Sequence, residues 1–339
     1  MSDITSEIKK RRTFAIISHP DAGKTTLTEK FLLYGGAINL AGSVKGKKTA
    51  KHAVSDWMEI EKERGISVTS SVLQFNYDGY CINILDTPGH EDFSEDTYRT
   101  LMAADSAVMV IDASKGVEKQ TIKFFKVCVM RHIPIFTFIN KMDREANDPF
   151  ELLDEIENVL GIATCPINWP IGCGKEFKGV YDRKQREVSL FKAAMNGQKE
   201  VATKNIALDD PELKAEIGDA YLSKLDEDVE LLDGASAEID LAKEQVGDLT
   251  PVFFGSALTN FGVETFLQHF LDMTTSPLPR NSSAGPIDPF KEDFSAFVFK
   301  IQANMNKALR DRIAFMRICS GKFSAGMEAN HVQGGKKIR

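Results

Sequence analysis

Four short motifs in this chain contain the residue types that bind a nucleotide, and each follows a strand-like apolar run. In chain order they are Ser18-His19-Pro20-Asp21-Ala22-Gly23-Lys24-Thr25, Asp86-Thr87-Pro88-Gly89-His90, Asn140-Lys141-Met142-Asp143 and Ser256-Ala257-Leu258. Any one of them could occur by chance. Together and in this order they predict a guanine-nucleotide site built from four loops.

The first motif predicts a phosphate-binding loop, because it lies between a strand-like run at residues 14–17 and a helix-like stretch at 24–33. Backbone N–H groups in such a loop, together with the helix dipole, favour phosphate. Gly23 allows a close approach because it has no Cβ. Ser18 stands where the usual pattern has glycine, and we expect the loop to form because serine is small. An ordinary glycine turn before a helix is the alternative.

Three side chains of this motif and its helix are assigned to the phosphates and to Mg²⁺. Lys24 is predicted to bridge the β- and γ-phosphates and is a catalytic candidate, while Thr26 can reach the α-phosphate. Thr25 offers a hydroxyl to Mg²⁺. Asp86, in the second motif, can hold the same ion through a water, as a Walker-B aspartate does.

The second motif also predicts a sensor for the γ-phosphate. Gly89 can offer its N–H to that phosphate, and the loop would relax once the phosphate is gone. His90 then lies beside the place of the attacking water and is the second catalytic candidate. The alternative for His90 is a solvated loop histidine.

The last two motifs predict a pocket for guanine. Asp143 can accept from both N1–H and the 2-amino group, which adenine does not present side by side. Asn140 can join this loop to the phosphate loop, and the stem of Lys141 can lie over the base. The loop at residues 256–258 supplies a backbone N–H for guanine O6.

A long, poorly periodic segment separates the first two motifs, and such segments beside a nucleotide are usually functional. Ser67 in this region is the candidate to close on Mg²⁺ when the γ-phosphate is present. The segment also carries four lysines, for which a solvated loop face is an equally good interpretation: Lys45, Lys47, Lys48 and Lys51.

Composition predicts a globular, cytoplasmic protein. Hydrophobic residues make up 42% of the 339 positions, no run approaches a membrane span, and the polar N-terminal residues do not form a secretory signal. The five cysteines show no metal-type spacing and are typical of reduced thiols. We expect a monomer with no DNA or membrane partner.

The order of strand and helix patterns predicts an α/β fold: a P-loop domain at residues 1–275 with a mostly parallel sheet and helices on both faces. Helices are predicted at 95–103, 118–131, 149–160 and 263–273. The chain between Asp143 and Ser256 is far longer than the roughly 30 residues that one helix and one strand need, so an α+β subdomain is inserted at about 165–250. A linker at 276–290 and a partial β-barrel domain at 291–339 follow.

Acidic residues concentrate in this insertion. Residues 201–249 hold 14 Asp and Glu against 4 Lys and Arg, whereas the whole chain has a net charge of −7. The rest of the chain is therefore slightly basic and need not be repelled by RNA. An acidic helical face that is simply solvated is the favoured interpretation.

These motifs resemble those of the translational GTPases, the family of elongation factors and their relatives. Longer strings resemble members of that family that act in translation termination, at residues 17–26, 55–59, 64–71, 86–99 and 169–174. The resemblance implies a GTPase that uses Mg²⁺, binds GTP and GDP, and is stimulated by the ribosome. It further implies removal of class-I peptide chain release factors after termination. In this resemblance His90 positions the attacking water, with Pro20 and Ile66 flanking its path.

Two other functions stay open on the sequence. One is an elongation-type translocase, which the strings at residues 55–59 and 169–174 disfavour. The other is a non-catalytic guanine-nucleotide binding module, because relatives carry a complete barrel and a further C-terminal domain that this chain largely lacks. GTP turnover with and without ribosomes would separate the enzyme from the module.

Overall fold

A computed structural model describes residues 4–37, 71–87, 94–191, 203–235, 240–303 and 312–339. The chain divides into two compact units, one of residues Arg12–Thr274 and one that combines Met1–Arg11 with Thr275–Arg339. Over the described ranges, no helix is both long and apolar enough to cross a bilayer.

The strands of the first unit are β1 Arg11–Ser18, β2 Ser71–Tyr77, β3 Tyr80–Asp86, β4 Ser106–Asp112, β5 Ile135–Asn140, β6 Ala163–Pro166, β7 Asn168–Ile171, β8 Gly179–Asp182, β9 Glu187–Phe191, β10 Thr203–Ala207 and β11 Leu249–Phe254.

The helices predicted at 24–33, 95–103, 118–131, 149–160 and 263–273 form within a few residues of those bounds. In chain order they are α1 Ile4–Lys9, α2 Lys24–Tyr34, α3 Ser94–Leu101, α4 Lys119–Met130, α5 Pro149–Leu160, α6 Pro211–Ile217, α7 Asp219–Ala235, α8 Leu241–Val246 and α9 Val263–Met273. The bounds of α5 follow from local signals. Asp148 accepts hydrogen bonds from the N–H groups of Phe150 and Glu151, Pro149 occupies the first turn, and Gly161 ends the helix in a left-handed conformation.

Seven strands form the main sheet, in the order β2-β3-β1-β4-β5-β11-β6. Strands β1, β4, β5, β11 and β6 run parallel, and β2 pairs antiparallel with β3. This is the expected mostly parallel sheet. The carboxyl ends of parallel strands meet at one edge, which is where such folds bind ligands. Ser18, Asp112 and Asn140 end β1, β4 and β5 at this edge.

A cluster of phenylalanines joins the helices α2 and α9 to the sheet. Phe266 of α9 packs against Phe31 of α2, with ring centroids 5.7 Å apart, and against Phe138 of β5 at 5.3 Å. Phe14 and Phe136 both meet Phe270, at 4.7 and 4.8 Å. All of these side chains are buried, and burial of such rings stabilises the layer that holds the site.

The inserted subdomain has a sheet of its own. Its strands pair antiparallel in the order β10-β9-β8-β7, and helices α6 to α8 follow. Strand β6 pairs with β11 in the main sheet, so the separate sheet begins at Asn168. A buried contact of 2.5 Å between Nε2 of His269 in α9 and Oδ2 of Asp182 in β8 joins the inserted sheet to a helix of the main sheet's layer.

The second unit is built from antiparallel pairs of strands. Strand β14 (Ser295–Ala303) pairs with β15 (Arg312–Ser320), within the segment predicted as a partial β-barrel domain. Short hairpins are β12 (Arg280–Ser282) with β13 (Gly285–Ile287) and β16 (Ala329–His331) with β17 (Lys336–Ile338). The first hairpin lies inside the segment predicted as a linker, where Gly285, at φ 105°, completes the turn.

Candidate guanine-nucleotide site

The phosphate loop connects β1 directly to α2. Gly23 precedes the helix with φ 101°, and Asp21 also has a positive φ of 66°. A Cβ on Gly23 would clash with Nδ2 of the buried Asn140, and the positive φ strains any other residue, so glycine is strongly favoured there. The turn is closed by a hydrogen bond of 3.3 Å from the Ala22 N–H to the His19 carbonyl. The His19 ring lies 3.4 Å from the carboxylate of Glu118.

Lys24 and Asp86 meet at the centre of this edge. Lys24 Nζ donates to Asp86 Oδ1 at 2.5 Å, and the two side chains are 6% and 1% exposed. The other carboxylate oxygen, Asp86 Oδ2, is buried and has no hydrogen-bond partner among the described residues, and the same holds for Ser18 Oγ. Buried polar atoms of this kind are normally satisfied, so they favour a bound polar group here.

The donor set fits Mg²⁺. This ion prefers hard oxygen groups such as carboxylates and hydroxyls, and the unsatisfied Asp86 oxygen can hold it through a water. Thr25, buried in the first turn of α2, carries the hydroxyl. The third predicted ligand, Ser67, lies outside the described residues, as do Pro88, Gly89 and His90 of the second motif. Thr87 is described: its hydroxyl donates to the Ile16 carbonyl, which ties this loop to β1.

Asn140 links the base-binding loops to the phosphate loop. Its Nδ2 donates to the Ala22 carbonyl at 2.8 Å, and its Oδ1 accepts from the Ala257 N–H at 2.8 Å. Three of the four motifs are thereby joined through one side chain. The 256–258 loop was predicted to supply a backbone N–H for guanine O6, and in this structure the N–H of its Ala257 bonds Asn140.

The Asp143 carboxylate lies beside Ser256. Ser256 Oγ donates to Asp143 Oδ1 at 2.5 Å, and the Thr259 N–H donates to the same serine oxygen at 3.3 Å. The second carboxylate oxygen, Oδ2, lies 3.9 Å from Arg144 Nε. Leu258 is 42% exposed and contributes to the rim.

Met142 contributes to the site only through its backbone. Its side chain is 1% exposed and packs in the core, whereas its N–H donates to the Gly255 carbonyl at 3.1 Å. The sequence assigned Met142 to the nucleotide site as part of its motif. In the structure this side chain belongs to the buried core that follows β5 rather than to an exposed surface.

Asp112 belongs to none of the four motifs, but it contacts one of them. Its Oδ2 accepts from Lys141 Nζ at 2.5 Å, and the same nitrogen reaches the Asp21 carbonyl. Burial opposes charge on Asp112, but hydrogen bonds from Lys141 and Ser114 outweigh it and lower the pKa of the carboxyl group. In the sequence, Asp112 could have been recognised as an acidic residue at the end of a fully buried strand, β4.

Comparisons with known proteins agree with this geometry. Residues 9–276 match the family model described as Elongation factor Tu GTP binding domain, and 293–339 match Elongation factor G domain 2. The chain therefore belongs to the family of elongation factor Tu-type GTP-binding domains. Curated relatives that match along the whole chain are named Peptide chain release factor 3.

One of these relatives, from Symbiobacterium thermophilum, is 62% identical over all of this chain and 64% of its own length. Another, from a Cyanothece species, is 56% identical over all of this chain and 62% of its own length. The chain thus spans a little under two thirds of these relatives. A crystal structure of a Thermus thermophilus protein shares the fold, with a TM-score of 0.73 at 23% identity over 98% of this chain and 48% of that one.

Proposed function

We propose that this chain is the GTP-hydrolysing part of a translation-termination factor that is stimulated by the ribosome and promotes release of class-I peptide chain release factors. The observation that carries the proposal is the convergence of three motif loops on Asn140, beside the Lys24–Asp86 pair. The names of the relatives, and the strings shared with termination GTPases, support the choice of termination over elongation.

In the proposed reaction, Lys24 binds the phosphates and neutralises charge that develops on them. The proposal assigns a Mg²⁺ site to Thr25, Asp86 and Ser67, where the ion would neutralise phosphate charge and orient the β- and γ-oxygens. Lys24 is held by Asp86 and does not have to be ordered when the nucleotide binds. His90 is proposed to orient the attacking water.

Selection of guanine is assigned to Asp143. Its carboxylate would accept hydrogen bonds from N1–H and the 2-amino group, whereas adenine would leave the charge facing an acceptor. Ser256 Oγ holds one carboxylate oxygen and thereby fixes the plane of the group. A pre-oriented acceptor loses less entropy on binding. We therefore expect GTP and GDP to bind far better than ATP.

GTP turnover, measured with and without ribosomes, tests the proposal. The assay should use this chain and a longer version that spans the full length of its relatives, because the chain covers 64% of one of them. Stimulated turnover by the longer version, together with release of a class-I factor from terminated ribosomes, is the expected result. Stimulation with translocation instead would favour an elongation factor. Tight GDP binding without turnover in either version would identify a binding module.

A further inference from the structure

The string at residues 169–174 has no role in the chemistry described so far, and the residue before it, Asn168, bonds the end of the strand that leads into the 256–258 loop. Asn168 begins β7 of the inserted sheet and is fully buried. Its Oδ1 accepts a hydrogen bond of 2.7 Å from the Phe254 N–H, and its Nδ2 donates at 3.0 Å to the Phe254 carbonyl. One side-chain amide therefore satisfies both backbone groups of Phe254.

This double contact replaces a strand that has left the sheet. Backbone pairing between β11 and β6 ends at Val252 and Pro166, followed by a bond of 2.8 Å from the Ile167 N–H to the Val252 carbonyl. Beyond that point the chain turns away to form the inserted sheet. The Asn168 amide takes the next bonding position and keeps β11 aligned as far as Phe254. The loop of Ser256 begins two residues later.

The same segment also supports the loop of Asp143. The Gly174 N–H donates to the Met142 carbonyl at 2.8 Å. At the other end, the Trp169 ring lies 5.3 Å from the Phe254 ring, and its Nε1 donates to Asp228 of α7 at 2.9 Å. Asn168 is thus held by the inserted subdomain on one side and holds a base-recognition loop on the other.

We propose that Asn168 is a positioning residue for guanine recognition: its amide fixes Phe254 and so holds the 256–258 loop where a backbone N–H can donate to guanine O6. This inference rests on the guanine-nucleotide function proposed above. The strength of a hydrogen bond falls steeply when its direction changes. A small displacement of this loop would therefore weaken a bond to O6 while leaving the phosphate contacts of Lys24 in place.

Binding of GDP and of 6-thio-GDP to the Asn168→Ala variant tests the proposal. In the analogue, sulfur, a weak acceptor, replaces O6, while N1–H and the 2-amino group are kept. We expect the wild-type chain to prefer GDP by about tenfold, the value of one well-formed hydrogen bond. The variant should lose most of this preference and bind 6-thio-GDP within about twofold of wild type.

Asn205→Ala is the matched control, because Asn205 lies in β10 of the same inserted sheet and bonds Ser189 at 2.9 Å. It should keep the wild-type preference. If Asn168→Ala does not fold, as judged by circular dichroism, Asn168→Ser retains one polar group and is expected to show the same loss in part.

Equal losses of affinity for both nucleotides, or an unchanged preference for GDP, would overturn the inference and leave the proposed function standing. A wild-type chain that binds GDP and its thio analogue equally well would overturn it too, because O6 would then not be recognised. Failure of the wild-type chain to bind GDP at all would instead overturn the proposed function, and the inference with it.

Discussion

The ammonium group of Lys141 lies 2.5 Å from Oδ2 of Asp112, and the same nitrogen donates to the backbone carbonyl of Asp21 in the phosphate loop. The two charged side chains are 17% and 3% exposed. One lysine therefore joins the end of β4, the phosphate loop and its own loop after β5. These bonds fix the Lys141 ammonium group, as the proposed place of its stem over the base requires.

Replacement of Asp112 tests this arrangement. Asp112→Asn should lower both GDP affinity and the free energy of unfolding, because the Lys141 charge loses its partner. We expect a cost of about 1–3 kcal/mol, below the range for fully buried pairs, since Lys141 is partly exposed. Urea unfolding and titration calorimetry measure the two effects. Lys141→Met and the double variant complete a double-mutant cycle. Strictly additive effects would contradict a coupling between Asp112 and Lys141.

Removal of the Lys24 charge should abolish nucleotide binding, because the lysine contacts phosphate in the ground state as well as in the transition state. In Lys24→Ala, titration calorimetry should show loss of GDP and GTP affinity. The variant also leaves the Asp86 carboxylate buried without its cation, so stability should fall, and Asp86→Asn in the same chain should restore part of it. Retained affinity with slow turnover would make Lys24 purely catalytic.

Substitution of Asp143 should change which base is selected. In Asp143→Asn, the side-chain oxygen can still accept from Ser256 Oγ, which leaves the amide NH₂ facing the base. An amide donates where xanthine has a carbonyl, so the preference should shift toward xanthine nucleotides. A competition assay with GDP and XDP measures this shift. Ser256→Ala serves as the control that weakens selectivity without reversing it, and an unchanged guanine preference in Asp143→Asn would rule the pocket assignment out.

His90→Ala should keep nucleotide binding and lose ribosome-stimulated hydrolysis. Groups that position or deprotonate a water contribute about 10²–10⁴-fold to the rate. The measurement is stimulated GTP turnover in a version that spans the full length of the relatives. His132→Ala is a suitable control, because His132 is exposed in the turn before β5, at the opposite edge of the sheet. Stimulated turnover within a few-fold of wild type would make His90 a bystander.

Glu244 should make stability depend on pH. Burial raises the pKa of its carboxyl group from 4.5 to about 7, and its Oε1 has no hydrogen-bond partner in the described part of the chain. The folded state holds the Glu244 proton more tightly than the unfolded state does. The stabilisation that results is complete below pH 4.5 and is lost as the pH rises through 7. Glu244→Gln should therefore be more stable than wild type at pH 8, by up to about 3 kcal/mol.

Urea unfolding of Glu244→Gln at several pH values checks this prediction. The free energies of unfolding of the variant and of wild type should converge near the ordinary pKa of 4.5. Glu227→Gln, on the exposed face of α7, is the control and should not alter the slope against pH. A constant difference between Glu244→Gln and wild type at every pH would show that Glu244 does not titrate near 7.

Local chemistry in the sequence was enough to predict the phosphate loop, the strands that end in the motifs and the helix α5. Each of these depends on neighbouring residues: Gly23 and the helix that follows it, or Asp148 and Pro149 at a helix start. The parallel sheet could also be predicted, because alternating strand and helix patterns allow few other arrangements.

Contacts between distant strand ends were decided by the tertiary structure. The sheet order β4-β5-β11 brings Asp112 to Lys141 and Asn140 to Ala257. Asn168 reaches Phe254 only because β6 lies beside β11 and then leaves the sheet. No periodicity in the chain encodes such pairings. They follow from which strands become neighbours, and that is set by packing of the whole core rather than by any one segment.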